Sequence, residues 1–211
     1  PFDMERAFAP ISTLASVPLI VAVKADSPHR TLADLLAAAR ARPEGITYAQ
    51  ASSSQRVAAE MMASMAGVRM LMVPYRSSPL AVQDLMAGRV DVFVADQAVI
   101  LPQVQAGGLR ALAVTTKERS AQLPNVPTIA EAGNLPDYEL FAWFVLAAPA
   151  GTPAAVIQRL NAAVRAATDT PELRERLATG LGMAGGASAP GGGAALIAAG
   201  TGEGADAPRA A

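Results

Sequence analysis

Three short stretches of the chain collect the side chains that could do chemistry. The first, Tyr48–Gln55, runs from an apolar segment into the hydroxyls of Ser52, Ser53 and Ser54 and the amide of Gln55. The second, Val73–Pro79, offers the phenol of Tyr75, the guanidinium of Arg76 and the hydroxyls of Ser77 and Ser78. The third, Val94–Gln97, holds the carboxylate of Asp96. Hydroxyls and free backbone N–H groups at a helix start suit a carboxylate or a phosphate, and the helix dipole adds to the attraction. Tyr75 could close over such a ligand and Arg76 could draw it in. Asp96 could take a donor, such as an amino group or a bridging water. Each residue also has a plainer use: serine and aspartate cap helices, and a tyrosine or arginine can simply be half-buried or surface.

None of these stretches pairs a nucleophile with a base, and no two carboxylates stand at an obvious acid–base spacing. Together they indicate binding, not catalysis. Cysteine is absent, which removes disulfides, thiolate catalysis and Cys-ligated metals. The single histidine, His29, lies between Pro28 and Arg30 and reads as a solvated turn residue. A Ser-His-Asp triad would have to use it, and no G-x-S-x-G elbow accompanies it. A histidine metal cluster is impossible, and no cofactor is expected. Met61, Met62 and Met65 read as core rather than a cofactor box, and Glu172, Arg174, Glu175 and Arg176 as a solvated helix face.

A net charge of −1 and a pI near 5.9, without any Lys/Arg block, argue against a nucleic-acid partner. With 52% hydrophobic residues the chain can bury a sizeable core. Its longest apolar runs, Val17–Val23 and Phe141–Pro149, are too short to cross a bilayer, so no membrane insertion is expected. The opening residues show no charged-then-apolar signal, which at face value suggests a soluble cytosolic protein.

The elements that must hold the three stretches alternate regularly from about residue 17 to residue 116. Strands are expected at Val17–Val23, Ile46–Ala49, Met70–Tyr75, Val90–Ala95 and Leu109–Thr115. Between them, Thr31-Leu-Ala-Asp34 has the form of a capping box opening a helix with Leu32, Leu35, Leu36 and Ala39 on one face. Ala58, Met61, Met62 and Met65 mark a second helix, closed by Gly67. Ser78 is a candidate N-cap with Pro79 at N1, and Val82, Leu85 and Met86 face inward. A short helix follows at Ala98–Ala106 around Pro102. Near-continuous apolar strands separated by such helices indicate a parallel sheet covered on both faces, a doubly wound α/β domain.

Arg119–Pro136 is rich in turn residues and carries one short helical stretch at Thr128–Ala132. Leu140–Ala148 is again strand-like. Thr152 is a candidate cap for a helix with Val156, Leu160 and Val164 on its face, and Thr170-Pro171 opens another. From Gly180 to Ala211 the chain is dominated by Gly and Ala and is expected to be loose, apart from a turn at Ala194–Ala199.

Several ordered segments resemble the Bug/TctC family of solute-binding proteins. They are Phe8-Ala-Pro-Ile-Ser12 with Val17-Pro-Leu, Val73-Pro-Tyr-Arg-Ser77, Gly88-Arg-Val-Asp-Val92 and Gly108-Leu-Arg-Ala-Leu-Ala-Val-Thr115. Leu123-Pro-Asn-Val-Pro-Thr128-Ile-Ala-Glu-Ala-Gly133 and Ala148-Pro-Ala-Gly-Thr-Pro153 complete the set. The resemblance covers roughly residues 1 to 178. It implies a type II periplasmic-binding fold, with one nearly complete lobe at 18–139, parts of the other at 1–17 and 140–179, and a tail at 180–211. It also implies a monomeric periplasmic receptor that passes a small carboxylate to the membrane permease subunits of a tripartite tricarboxylate transporter. The sequence departs from the family in three places. About a third of the family's usual chain would precede Pro1; Ala51–Gln55 is shorter by about two residues and lacks the glycines usual after Tyr48, with Arg56 where a histidine is common; and Gly180–Ala211 lacks the aromatic and charged residues usual in the family's closing helix. A cytosolic effector-sensing domain like that of LysR-type regulators, and a non-functional fragment of the binding protein, are the alternatives.

Overall fold

The computed structural model describes residues 4–180 and 184–185. The expected loose tail and its turn at Ala194–Ala199 fall almost wholly outside them. After a short helix α1 (Met4–Ala7), the chain runs β1 (Phe8–Lys24), α2 (Leu32–Ala41), β2 (Thr47–Gln50), α3 (Ser53–Met65) and β3 (Leu71–Pro74). It continues with α4 (Ser78–Met86), β4 (Val92–Asp96), α5 (Gln97–Gln105), β5 (Leu109–Val114), α6 (Ile129–Gly133) and β6 (Phe141–Pro149). Last come α7 (Ala154–Thr168), α8 (Pro171–Glu175), a π-helical turn at Arg176–Gly180 and β7 (Ala184–Gly185). The chain divides into two compact units: Pro18–Ala142, and Pro1–Val17 together with Trp143–Ala211.

Local chemistry explains where the helices of the larger unit begin and end. Thr31 accepts the Asp34 N–H while the Asp34 carboxylate accepts the Thr31 N–H, so α2 starts on a complete capping box. Ser52 occupies the N-cap of α3. Gly67 and Gly88 follow α3 and α4 at positive φ (63° and 73°), where any side chain would be strained.

In this unit the strand order is β3-β2-β4-β1-β5. β2 pairs in parallel with both β3 and β4, whereas β1 is antiparallel to both β4 and β5. The sheet is therefore mixed, not wholly parallel. A continuous apolar run reports burial on both faces and carries no information on strand direction, so the sequence pattern could not reveal the reversal. β1 also pairs with β6 and, at Ala15 and Ser16, with β7.

Alternate residues of one strand supply two separate cores, as the two-residue period of a strand requires. Leu19, Val21 and Val23 join α2, α3 and α6 residues such as Leu35, Met62 and Ile129 on one face. Ile20 and Ala22 join Ala81, Val82 and Leu85 of α4 and Ile100 of α5 on the other. Phe93 and Ala95 go with the second set, Val92 and Val94 with the first. This is the doubly wound α/β arrangement.

Several local expectations need correction. The N-cap of α4 is Ser77, with Ser78 already inside the helix, and Pro153 rather than Thr152 caps α7. Met65 and Met86 are exposed rather than core residues, and so are Val156 (44%) and Leu160 (40%) on α7. Periodicity shows which residues share a helix face, but whether another element covers that face is a tertiary matter.

Thr115, fully buried just after β5, locks β1 in place. Its Oγ1 accepts the Leu19 N–H at 2.9 Å and donates to the Leu19 carbonyl at 3.2 Å, while its own N–H donates to the same carbonyl at 3.0 Å. Thr115→Val keeps the shape but orphans the buried Leu19 N–H. We expect a loss of about 1–3 kcal/mol, read as a lower urea midpoint at unchanged m-value.

Candidate functional site

Because β3, β2 and β4 lie side by side and point the same way, their carboxyl ends share one sheet edge. Helices α3, α4 and α5 begin there, and the three stretches singled out by residue type come together at that edge. This is the usual position of ligand sites in open α/β sheets.

On the first stretch, Ser52 Oγ accepts the Gln55 N–H at a long 3.4 Å and lies 3.1 Å from Ser54 Oγ, while Ser53 is exposed. Gln55 is buried, and its amide bonds to protein groups on all three loops. Ser77 and Asp96 occupy the N-cap positions of α4 and α5, yet neither side chain accepts a bond from its helix. The first-turn N–H groups of both helices thus lack a side-chain cap and also lack intrahelical partners. Ser78 Oγ accepts from the Gln55 amide at 2.9 Å.

Arg76 is exposed, and no acidic group among the described residues pairs with it. Tyr75 is more constrained. Its backbone N–H donates to the Gln50 carbonyl at 2.7 Å, and its hydroxyl donates to Asp84 Oδ2 on α4 at 3.0 Å. Arg89 donates to the other oxygen of Asp84 at 2.7 Å. The bond from Arg89, followed by that from Tyr75, holds the Asp84 carboxyl below its ordinary range. Burial, reinforced by Asp84, pushes the Tyr75 phenol up.

Sequence reasoning missed three residues that hold or adjoin these stretches. Asp84 and Arg89 anchor Tyr75, but five residues' separation across a helix end gives no recognisable signal. Gln97 is buried; its Nε2 donates to Gln122 at 2.6 Å, and its Oε1 has no partner among the described residues. Its position directly after Asp96 was the available clue. On α3, Arg56 donates to Glu60 at 2.8 Å, and the Tyr48 hydroxyl donates to the same oxygen at 3.1 Å. That i,i+4 spacing was legible. Burial raises the Tyr48 phenol, with Glu60 adding to the effect.

Chemically, the edge carries groups that attract an anion: two helix starts without side-chain caps, several serine hydroxyls and the Arg76 guanidinium, unpaired among the described residues. Among the described residues no cluster of His, Cys, Asp or Glu could hold a metal, and no helix is long and apolar enough to cross a membrane. A doubly wound α/β lobe with polar side chains along the carboxyl ends of its parallel strands belongs to the class of open α/β folds that bind small molecules at that edge. Residues 1–186 match the family model described as TctC, tripartite tricarboxylate transporter family receptor, and the chain belongs to that family.

A UPF0065 protein in the tcbD-tcbE intergenic region of Pseudomonas sp. (strain P51) is 42% identical over 190 residues, covering 89% of this chain and 56% of that protein. The solved structure of R. palustris Rpa4515 with adipate superposes with a TM-score of 0.86 at 33% identity, over 97% of this chain and 67% of that one. MatC (Rpa3494) from Rhodopseudomonas palustris, solved with bound malate, gives a TM-score of 0.85 at 28% identity, over 95% and 69%. The chain spans about half the length of the curated relatives it matches.

The Asp84 linkage generates a prediction with a definite sign. A carboxyl whose folded pKa is depressed stabilises the protein above its unfolded pKa, and that contribution disappears as pH falls through the folded value, here below about pH 4. Arg89→Gln removes the largest cause, so the Asp84 carboxyl should titrate at higher pH in a carbon-detected NMR titration. An unmoved titration would rule out Arg89 as the cause.

Proposed function

We propose that this chain is the ligand-capturing part of a periplasmic receptor, which takes up a small carboxylate for the membrane permease subunits of a tripartite tricarboxylate transporter. The observation that carries the reading is the convergence of three helix starts on adjoining parallel strand ends, two of them without a side-chain cap, beside the unpaired Arg76. Backbone N–H groups and the positive helix ends attract a carboxylate without needing a full counter-charge. The ligands named for two relatives, adipate and malate, belong to the same chemical class.

In this proposal the unit Pro18–Ala142 is the family's second lobe, with its boundary near 18–139, and residues 1–17 and 140–179 belong to the first. Ser52, Ser53, Ser54, Ser77, Ser78 and Arg76 face the carboxylate. Asp96 takes a donor from the ligand or from a bridging water. Tyr75, held by Asp84, forms a fixed wall rather than a moving lid. No step breaks or makes a covalent bond.

Thermal-shift measurements with citrate, malate, adipate, glutamate and nicotinate test the reading. At about a hundredfold excess over Kd, a ligand that binds only the folded chain stabilises it by about 2.7 kcal/mol. We expect at least one of the five to raise the melting temperature. No rise with any of them contradicts carboxylate capture by these 211 residues. For a ligand that binds, Ser54→Ala should weaken affinity by roughly threefold to tenfold, the worth of about one hydrogen bond, in a calorimetric titration. An unchanged affinity places Ser54 outside the site.

A further inference from the structure

Gln55 differs from every other polar residue at the strand edge because nothing of its side chain is left for a ligand. It is 1% exposed in the first turn of α3. Its Nε2 donates to Ser78 Oγ at 2.9 Å and lies 3.5 Å from Asp96 Oδ2, at the limit of hydrogen-bond reach. Its Oε1 accepts the Ala51 N–H at 3.0 Å. The orientation of the amide is determined, since a flip would set the Ala51 N–H against a donor and the Asp96 carboxylate against an acceptor.

We propose that Gln55 is a positioning residue and not a ligand contact: its buried amide joins the loops after β2, β3 and β4 and sets the direction of Asp96. This rests on the strand edge being the carboxylate site. The Asp96 side chain has no other hydrogen bond among the described residues, although it stands at the N-cap of α5, where aspartate ordinarily accepts from its own helix. Gln55 draws the carboxylate away from that role. The α5 N–H groups stay open, and Asp96 is presented to the ligand. Without the amide, Asp96 swings back onto α5 and takes the N–H groups that a bound carboxylate would use. The charged and titratable side chains on the neighbouring elements are Arg56, paired with Glu60 on α3, the Tyr48 hydroxyl on the same Glu60, Asp84 on α4, held by Arg89 and Tyr75, and Arg76 after β3, unpaired among the described residues.

The test uses the whole chain, two single variants and one double variant, with melting temperature followed from about pH 5 to about pH 8. Gln55→Glu sets a second carboxylate against Asp96, and two carboxylates so close cannot both ionise. The folded pKa of the pair is then raised above its unfolded value. The variant's deficit relative to the unsubstituted chain should therefore be greatest near the alkaline end and shrink as pH falls through that raised pKa. Adding Asp96→Asn removes the second charge and restores a donor–acceptor pair in reversed sense, and the pH dependence of the deficit should shrink to what burial of the new carboxyl alone produces. A deficit constant with pH, or one insensitive to Asp96→Asn, overturns the inference.

These readouts need no ligand, so they judge Gln55 even if no carboxylate binds and the proposed function fails. If malate binds, Gln55→Leu should weaken it by about tenfold, near 1.4 kcal/mol. Unchanged malate affinity would show that Gln55 positions nothing the ligand uses.

Discussion

The parallel pairing of β2 with a neighbour on each side is the constraint on which the site depends. Tyr48 stands opposite both Met72 of β3 and Val92 of β4, so β2 and β3 finish level at Gln50 and Pro74 while β4 runs two residues further, to Asp96, at the same edge. Parallel strands cannot be joined by tight turns, and each must be followed by a crossover helix. The helix N-termini are therefore delivered to the edge by topology alone. With those ends in place, hydroxyls and N–H groups that are scattered over some fifty residues of sequence lie along one sheet edge.

Charge is distributed unevenly among the helices that start at that edge and the turns that follow them. Arg89 and Arg56 are occupied by Asp84 and Glu60, and those pairs hold Tyr75 and Tyr48 in fixed positions. Arg76 remains unpaired among the described residues. Paired cations act as braces, while the unpaired one supplies a field that an approaching anion feels. Asp96, close to the α5 start without capping it, keeps the edge from being a uniformly positive patch.

Much of this was legible residue by residue. The capping box at Thr31–Asp34 was readable because four consecutive residues contain the whole interaction. The two-faced burial of Leu19–Val23 was readable because a continuous β-branched run has few other uses. Ser52–Gln55, Tyr75–Ser78 and Asp96 were identifiable because strand ends followed by hydroxyl or acidic residues are local patterns. The exposed Val156 and Leu160 show where such reasoning stops, since a helical stripe says nothing about what, if anything, lies against it.

By itself the amino-acid sequence determined the element order, the α/β class, the exclusion of thiol and multi-histidine chemistry, and the residue types available for holding an anion. Those properties depend on composition and on interactions within a turn or two of the chain. Only the tertiary structure decided that β1 runs against its neighbours, that Tyr75 is tied to Asp84, and that Gln55 spends its amide on Ala51, Ser78 and Asp96. Each of these is set by strand pairing or by packing between segments far apart in sequence. The free energy of such contacts exists only after the sheet has brought the segments together.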